Sequence, residues 1–161
     1  MAELDYQYVS KLVSRARSGE SLAYSELFAA TYQRQYQFSL AYPRNSSLAE
    51  SALKQTFITA FKSLDTLRDP RLFVSWAGQI NMRICYRLHG PEDRGNSLLI
   101  GGVYYPLGQI MALPFSESQV VFLRCARNLP VLKIANILEI SPVSVRRHLS
   151  AGKRRLRGVS F

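Results

Sequence analysis

Apolar residues recur along most of this chain with helical spacing, and the recurrence breaks at a few turn-forming stretches. Over residues 6–17, Tyr8, Val9, Leu12, Val13 and Ala16 fall on one face of a helix. Ser18-Gly19-Glu20-Ser21 ends it, and Ser21 is placed to cap a second helix running to about residue 42. The inner side of that helix carries Tyr24, Leu27, Phe28, Thr31, Gln35 and Phe38. A turn at residues 43–47, with Ser47 as cap, leads to a third helix over residues 48–64. It buries Ala49, Leu53, Thr56, Phe57, Ala60, Phe61 and Leu64, and leaves Ser51, Lys54, Gln55, Ile58, Thr59 and Lys62 outside. After a loop at residues 66–70, a fourth helix over residues 72–88 has the stripe Phe73, Trp76, Ile80, Ile84 and Leu88. Gln79, Arg83, Tyr86 and Arg87 face elsewhere.

The pattern then changes. Residues 89–97 have the composition of a linker, and five of the nine glycines fall in residues 89–112. Leu98-Leu99-Ile100 and Val103-Tyr104-Tyr105-Pro106-Leu107 are too apolar for a free spacer, so they pack on a neighbour or bind something. Leu113-Pro114-Phe115-Ser116-Glu117 opens a C-terminal domain, with Ser116 as cap for a helix over residues 120–126.

Helical spacing resumes on both sides of a break at Glu139-Ile140-Ser141-Pro142, through Ile134, Ala135, Ile137, Leu138, Ile140, Val145 and Leu149. Ser141 is placed to accept a bond from a first-turn N–H. Pro142 falls at the first helical position, where its missing N–H costs nothing. This is a helix-turn-helix pattern, whose second helix enters the DNA major groove. At Glu139 such a turn often holds a left-handed glycine, so a glutamate there costs roughly 1 kcal/mol if the geometry is kept. Ser144, Arg146, Arg147, Ser150, Lys153 and Arg154 lie off the Val145/Leu149/Leu156 stripe. Arginine forks read guanine edges, and the other cations neutralise phosphates. A merely solvated basic helix would share the charge, but not the cap, turn and stripe.

Charge supports that picture. The 161 residues carry a net charge of +10 and a pI near 10.0, which points to a polyanionic partner. Residues 113–161 hold nine Lys/Arg against two Asp/Glu, so most of the excess lies in the helix-turn-helix half. On the fourth helix, a basic, amide-bearing face beside aromatics suits single-stranded DNA, although an ordinary solvated helix would look similar. Cys85 and Cys125 form no CxxC or His/Cys cluster, so no metal or cofactor is expected, and both read as small buried hydrophobes in a reducing cytoplasm. No signal peptide and no apolar run of about 18 residues is present, so a cytoplasmic protein without a membrane span is expected. His89 and His148 are far apart, and no nucleophile–base pair or phosphate loop occurs, so no enzymatic role is expected.

The expected fold is all-α. A four-helix domain over residues 1–88 and a helix-turn-helix domain over 113–161 are joined by a flexible linker over 89–112. In this arrangement the chain resembles the small extracytoplasmic-function (ECF) sigma factors of bacterial RNA polymerase. The N-terminal likeness lies in LVSRARSGESLAYSELFAATY, SLAESALKQTFITAFKSL and LFVSWAGQI, and the C-terminal likeness in LPFSESQVVFLR and IANILEISPVSVRRHLSAGKRRLR. The resemblance implies a transcription initiation factor whose partners are the polymerase core, promoter DNA and, as a further candidate, an anti-sigma factor. It implies a core-binding face over residues 50–62, with Glu50, Lys54, Gln55, Ile58 and Lys62. Arg68, Arg71, Phe73 and Trp76 would border a pocket for an extruded base, with Gln79, Arg83 and Arg87 following the melted strand. Ser144, Arg146, Arg147, Ser150, Lys153 and Arg154 would read the upstream duplex.

The chain departs from that family at Ser51 and Gln55, where acids are common, and at Lys54, where glutamine is frequent. It also has Met82 and Arg83 where arginine and asparagine are common. Two other readings stay open at this point: a dimeric helix-turn-helix regulator, and an accessory protein that binds polymerase without initiating alone.

Overall fold

The computed structural model describes residues 4–41, 46–88 and 97–158. The chain divides into two compact units, Met1–Leu88 and His89–Phe161.

The described residues of the first unit form four α-helices, α1 (Tyr6–Arg17), α2 (Ser21–Ala41), α3 (Ser46–Lys62) and α4 (Phe73–Leu88), with two short 3-10 turns at Leu64–Thr66 and Pro70–Leu72. Asp5 starts α1, its carboxylate accepting from the N–H groups of Gln7 and Tyr8, both at 3.0 Å. The apolar face Val9, Leu12 and Val13 packs with Leu27, Leu64, Leu67, Phe73, Val74 and Ala77. Gly19, at φ 97°, makes the tight turn into α2. Ser21 is not the cap expected of it but the first residue of α2, and Ala23 N–H donates to the Glu20 carbonyl at 3.1 Å. The Glu20 carboxylate is meanwhile held by Arg15. Ser47 likewise lies inside the first turn of α3, while the expected turn residues 43–45 fall outside the described residues.

Four faces differ from their periodicity: Tyr8 on α1 and Phe28 on α2, expected inside, are exposed, and α3 and α4 depart as well. Phe61 was expected inside but is 58% exposed, leaning on the Tyr24 ring at 4.5 Å. Ala60 and Leu64 take the core positions at that end of the helix. On α4 the buried face includes Phe73, Val74, Ala77, Asn81, Met82, Ile84 and Cys85, with Trp76, Ile80 and Leu88 only half-buried. The cause is a polar seam with α2. Asn81 Nδ2 donates to the carbonyl of Gln35 at 2.9 Å, and its Oδ1 accepts from Ser39 Oγ at 2.9 Å. Gln35 Nε2 donates to the Val74 carbonyl at 3.0 Å. Buried amides are tolerated when partnered in this way, and the partners fix how α4 is rotated.

The second unit begins where a linker was expected. Residues 97–112 are instead ordered: strands β1 (Ser97–Ile100) and β2 (Val103–Pro106) pair antiparallel, and helix α5 (Leu107–Met111) follows. Gly101 and Gly102, at φ 59° and 85°, supply the two left-handed positions of a tight two-residue hairpin. Leu98, Ile100 and Tyr105 are buried, whereas Leu99, Val103 and Tyr104 are exposed. Residues 89–96 of the expected linker, His89 among them, lie outside the described residues. Among the described residues the fold is therefore helical with one small hairpin added.

Helices α6 (Phe115–Cys125), α7 (Val131–Leu138) and α8 (Pro142–Gly158) complete the unit. Its core holds Val120, Val121, Phe122, Leu123, Ile134, Ala135, Leu138, Val145 and Leu156. Ile137, Ile140 and Leu149 are half-buried at its margin. Ser116 is not a cap, because α6 starts at Phe115 directly after Pro114.

Candidate nucleic-acid interface

The α7–α8 turn has the geometry its residues imply. Glu139 ends α7 in a left-handed conformation (φ 54°, ψ 43°), and Ile140 N–H donates back to the Ala135 carbonyl at 3.1 Å. Ser141 Oγ accepts from Ser144 N–H at 3.0 Å, satisfying an open first-turn donor. The Ser141 hydroxyl in turn donates to Ser144 Oγ at 2.9 Å. The half-buried Ser144 hydroxyl is thus engaged in the cap.

Two contacts between α6 and α8 decide which side of α8 faces out. A β-carbon on Gly152 would lie 2.8 Å from Val121 Cγ2, so the two helices approach too closely there for any side chain. Three residues on, Arg155 Nε lies 3.0 Å and 3.3 Å from the two oxygens of Glu117, a carboxylate that is otherwise buried. Arg155 is therefore turned toward α6. With Val145, Gly152 and Leu156 inside, the outward side carries Val143, Arg146, Arg147, Ser150, Arg154 and Arg157. Lys153 is half-buried, close enough to Cys125 to act against the rise that burial causes in that thiol's pKa. Helix α8 carries six Lys/Arg and no acid, so its exposed side is mainly cationic, with Val143 and Ser150 among the charges. This surface can bind phosphates and present arginine forks to base edges.

In the first unit, Glu50, Lys54, Gln55, Ile58 and Lys62 all lie exposed on α3, with Ile58 48% exposed. On α4, Arg83 and Arg87 are exposed and Gln79 half-buried, while the side chain of Tyr86 lies outside what is described. Arg68 is exposed before the helix. Arg71 is exposed but engaged: its Nη2 lies 2.8 Å from Asp69 Oδ2, and Asp69 also caps the turn through Arg71 N–H at 3.0 Å. The hydrogen bonds from Arg71 hold the Asp69 carboxyl below the usual carboxylate range. Phe73, expected at the rim of a base pocket, is 0% exposed and belongs to the core. Its ring supports the half-buried Trp76 at 5.9 Å. The first unit thus presents a mixed apolar and charged row on α3 and a basic row on α4.

Periodicity alone leaves Val143, Gly152 and Asn81, the partner of the inward Gln35, unassigned. Val143 is legible as an apolar residue lying off the stripe of a basic helix. Gly152 carries a signal too, since a glycine inside a helix costs about 1 kcal/mol and wants a packing reason. Among the described residues there is no His/Cys/Asp/Glu group that could hold a metal ion, and no helix long and apolar enough to cross a membrane.

No family model matches this chain, and no curated protein matches it. Solved structures similar to it include that of CnrH in complex with the cytosolic domain of CnrY, at 17% identity and a TM-score of 0.49, covering 94% of this chain and 96% of that one. A chain of the RsbN–BldN complex is similar at 19% identity and a TM-score of 0.44, covering 92% of this chain and 99% of that one.

Proposed function

We propose that this protein is an ECF-type sigma factor, which binds RNA polymerase core and directs it to particular promoters. The observation that carries the reading is the second unit's capped helix-turn-helix, whose α8 turns a mainly cationic side outward while Gly152 and Arg155 hold the opposite side on α6. The order of sequence motifs that resembles the family adds the polymerase. In this reading Arg146, Arg147, Ser150 and Arg154 meet the upstream duplex, with Lys153 at the phosphates. The α3 row of Glu50, Lys54, Gln55, Ile58 and Lys62 meets the core enzyme. Arg68, Arg71, Trp76, Gln79, Arg83 and Arg87 meet the melted element. An anti-sigma factor is the further partner the reading implies.

Run-off transcription from genomic fragments, with bacterial core enzyme and with or without this protein, tests it. Discrete transcripts that depend on the protein are expected. Their absence, together with a symmetric dimer on size exclusion and tight duplex binding, would replace the sigma reading by that of a dimeric regulator.

A further inference from the structure

One residue on the DNA-facing side of α8 has the wrong chemistry for phosphates and for polar base edges. Val143 is 69% exposed, the most exposed large hydrophobic residue described in the second unit. It is the second residue of α8, directly after Pro142 and inside the turn capped by Ser141. Val143, Arg147, Ser150 and Arg154 follow one another at i, i+4, i+7 and i+11, so the valine heads the same row as the cations. It lies away from the buried Val145 and Leu156 and adds nothing to the core. Nor does helix formation ask for it, since a β-branched residue is a poorer helix former than most polar ones.

The first residues of a recognition helix are those that reach base edges. The major groove offers one apolar group there, the 5-methyl of thymine. We infer that Val143 is a specificity determinant that reads a thymine methyl in the upstream duplex. This rests on the helix-turn-helix reading above, and assigns one base position that the arginines cannot read. A valine set against N or O edges would strip them of water without replacing the hydrogen bond. Against a methyl, both surfaces gain from leaving water.

The test selects the preferred duplex from a randomised library with the full-length protein, alone and with core polymerase. Each thymine of that duplex is then replaced singly by deoxyuridine, which pairs identically but lacks the methyl. One replacement is expected to weaken wild-type binding about fourfold, the value of roughly one buried methylene-sized group. Val143→Ser should bind the thymine duplex more weakly and lose the thymine–uracil difference, Val143→Ala should reduce that difference, and Val143→Ile should keep it. Circular dichroism should be unchanged in all three, because the site is exposed. If wild type selects a sequence through Arg147 but no uracil replacement weakens it more than it weakens Val143→Ala, the valine is an incidental surface residue and this inference alone falls. A selected site lacking thymine has the same consequence. Failure to select any duplex overturns the helix-turn-helix reading as well.

Discussion

Glu139 holds a left-handed backbone that costs a non-glycine residue about 1–2 kcal/mol. The cap two residues later, Ser141 Oγ on Ser144 N–H, returns about 1 kcal/mol. The turn therefore closes without its customary glycine, and it carries Arg146 and Arg147 into the second turn of α8 as exposed forks. Replacing the base-reading one of the two with alanine should cost about 1–3 kcal/mol and relax selectivity at one base pair. Lys153→Ala should instead weaken all duplexes alike and reduce the salt slope by about one ion. Binding isotherms on matched and mismatched duplexes across salt concentrations separate the two; equal, sequence-blind losses for both arginines would remove them from base reading. The cap, the proline start and the left-handed Glu139 are all legible in the sequence, because each is set by its immediate neighbours.

Cys85 behaves differently, since its properties come from distant packing. Burial in the first unit pushes its thiol up to about 12 from an ordinary value of 9.0. A folded pKa above the unfolded one means that folding favours the neutral thiol. That contribution is complete below about pH 9 and is lost as pH climbs toward 12. In native protein at pH 8, iodoacetamide should leave Cys85 unlabelled and react with it only after denaturant is added, as peptide mass spectrometry would show. Labelling as fast as in the unfolded chain would contradict its burial.

At the scale of elements, close approach matters more than periodicity. Helices α6 and α8 meet where Gly152 has no room for a β-carbon beside Val121. Gly152→Val should destabilise the second unit by about 1–3 kcal/mol through overpacking, seen as a lower melting temperature. An unchanged melting curve would mean that the helices are free to separate.

The α3 row carries the opposite expectation, since its side chains face water. Ile58→Asp and Glu50→Lys should leave circular dichroism and melting unaltered and reduce retention by immobilised core polymerase. Full retention of both variants would take this face out of the polymerase contact.

Two elements show where pattern reading stops. Gly101-Gly102 between two short apolar runs has the form of a two-residue hairpin turn, although the runs themselves do not alternate. The glycine-rich composition nonetheless reads equally well as a spacer, and only packing against the unit distinguishes the two. On α4 a stripe drawn through the aliphatic and aromatic residues misses Asn81, because a buried amide is acceptable only when α2 supplies Gln35 and Ser39 across from it.

For the whole molecule, the two compact units divide the proposed work. The residues proposed for the upstream duplex lie wholly in the second unit, and those proposed for the melted strand wholly in the first, so mutation should separate binding from opening. Arg83 and Arg87 stand exposed one turn apart on α4. Like charges at that spacing repel by a few tenths of a kcal/mol. A core-forming helix gains nothing from the pair, because other residues, among them Phe73, Val74, Ala77, Asn81, Met82, Ile84 and Cys85, fill the inward side. An unpaired strand lying along the row would supply the missing negative charge, and Trp76, braced by Phe73, would offer a ring edge near the strand's path. With both arginines changed to alanine, duplex binding through α8 should therefore be unchanged while opening of the start-proximal element fails. Permanganate reactivity of thymines on duplex promoter should drop, and a pre-melted bubble template should restore much of the transcription, since the few kcal/mol of unstacking are then already supplied. Wild-type thymine reactivity in the double variant would return α4 to a purely structural helix. Loss on the bubble template as deep as on duplex would move its role from opening the strand to holding the polymerase.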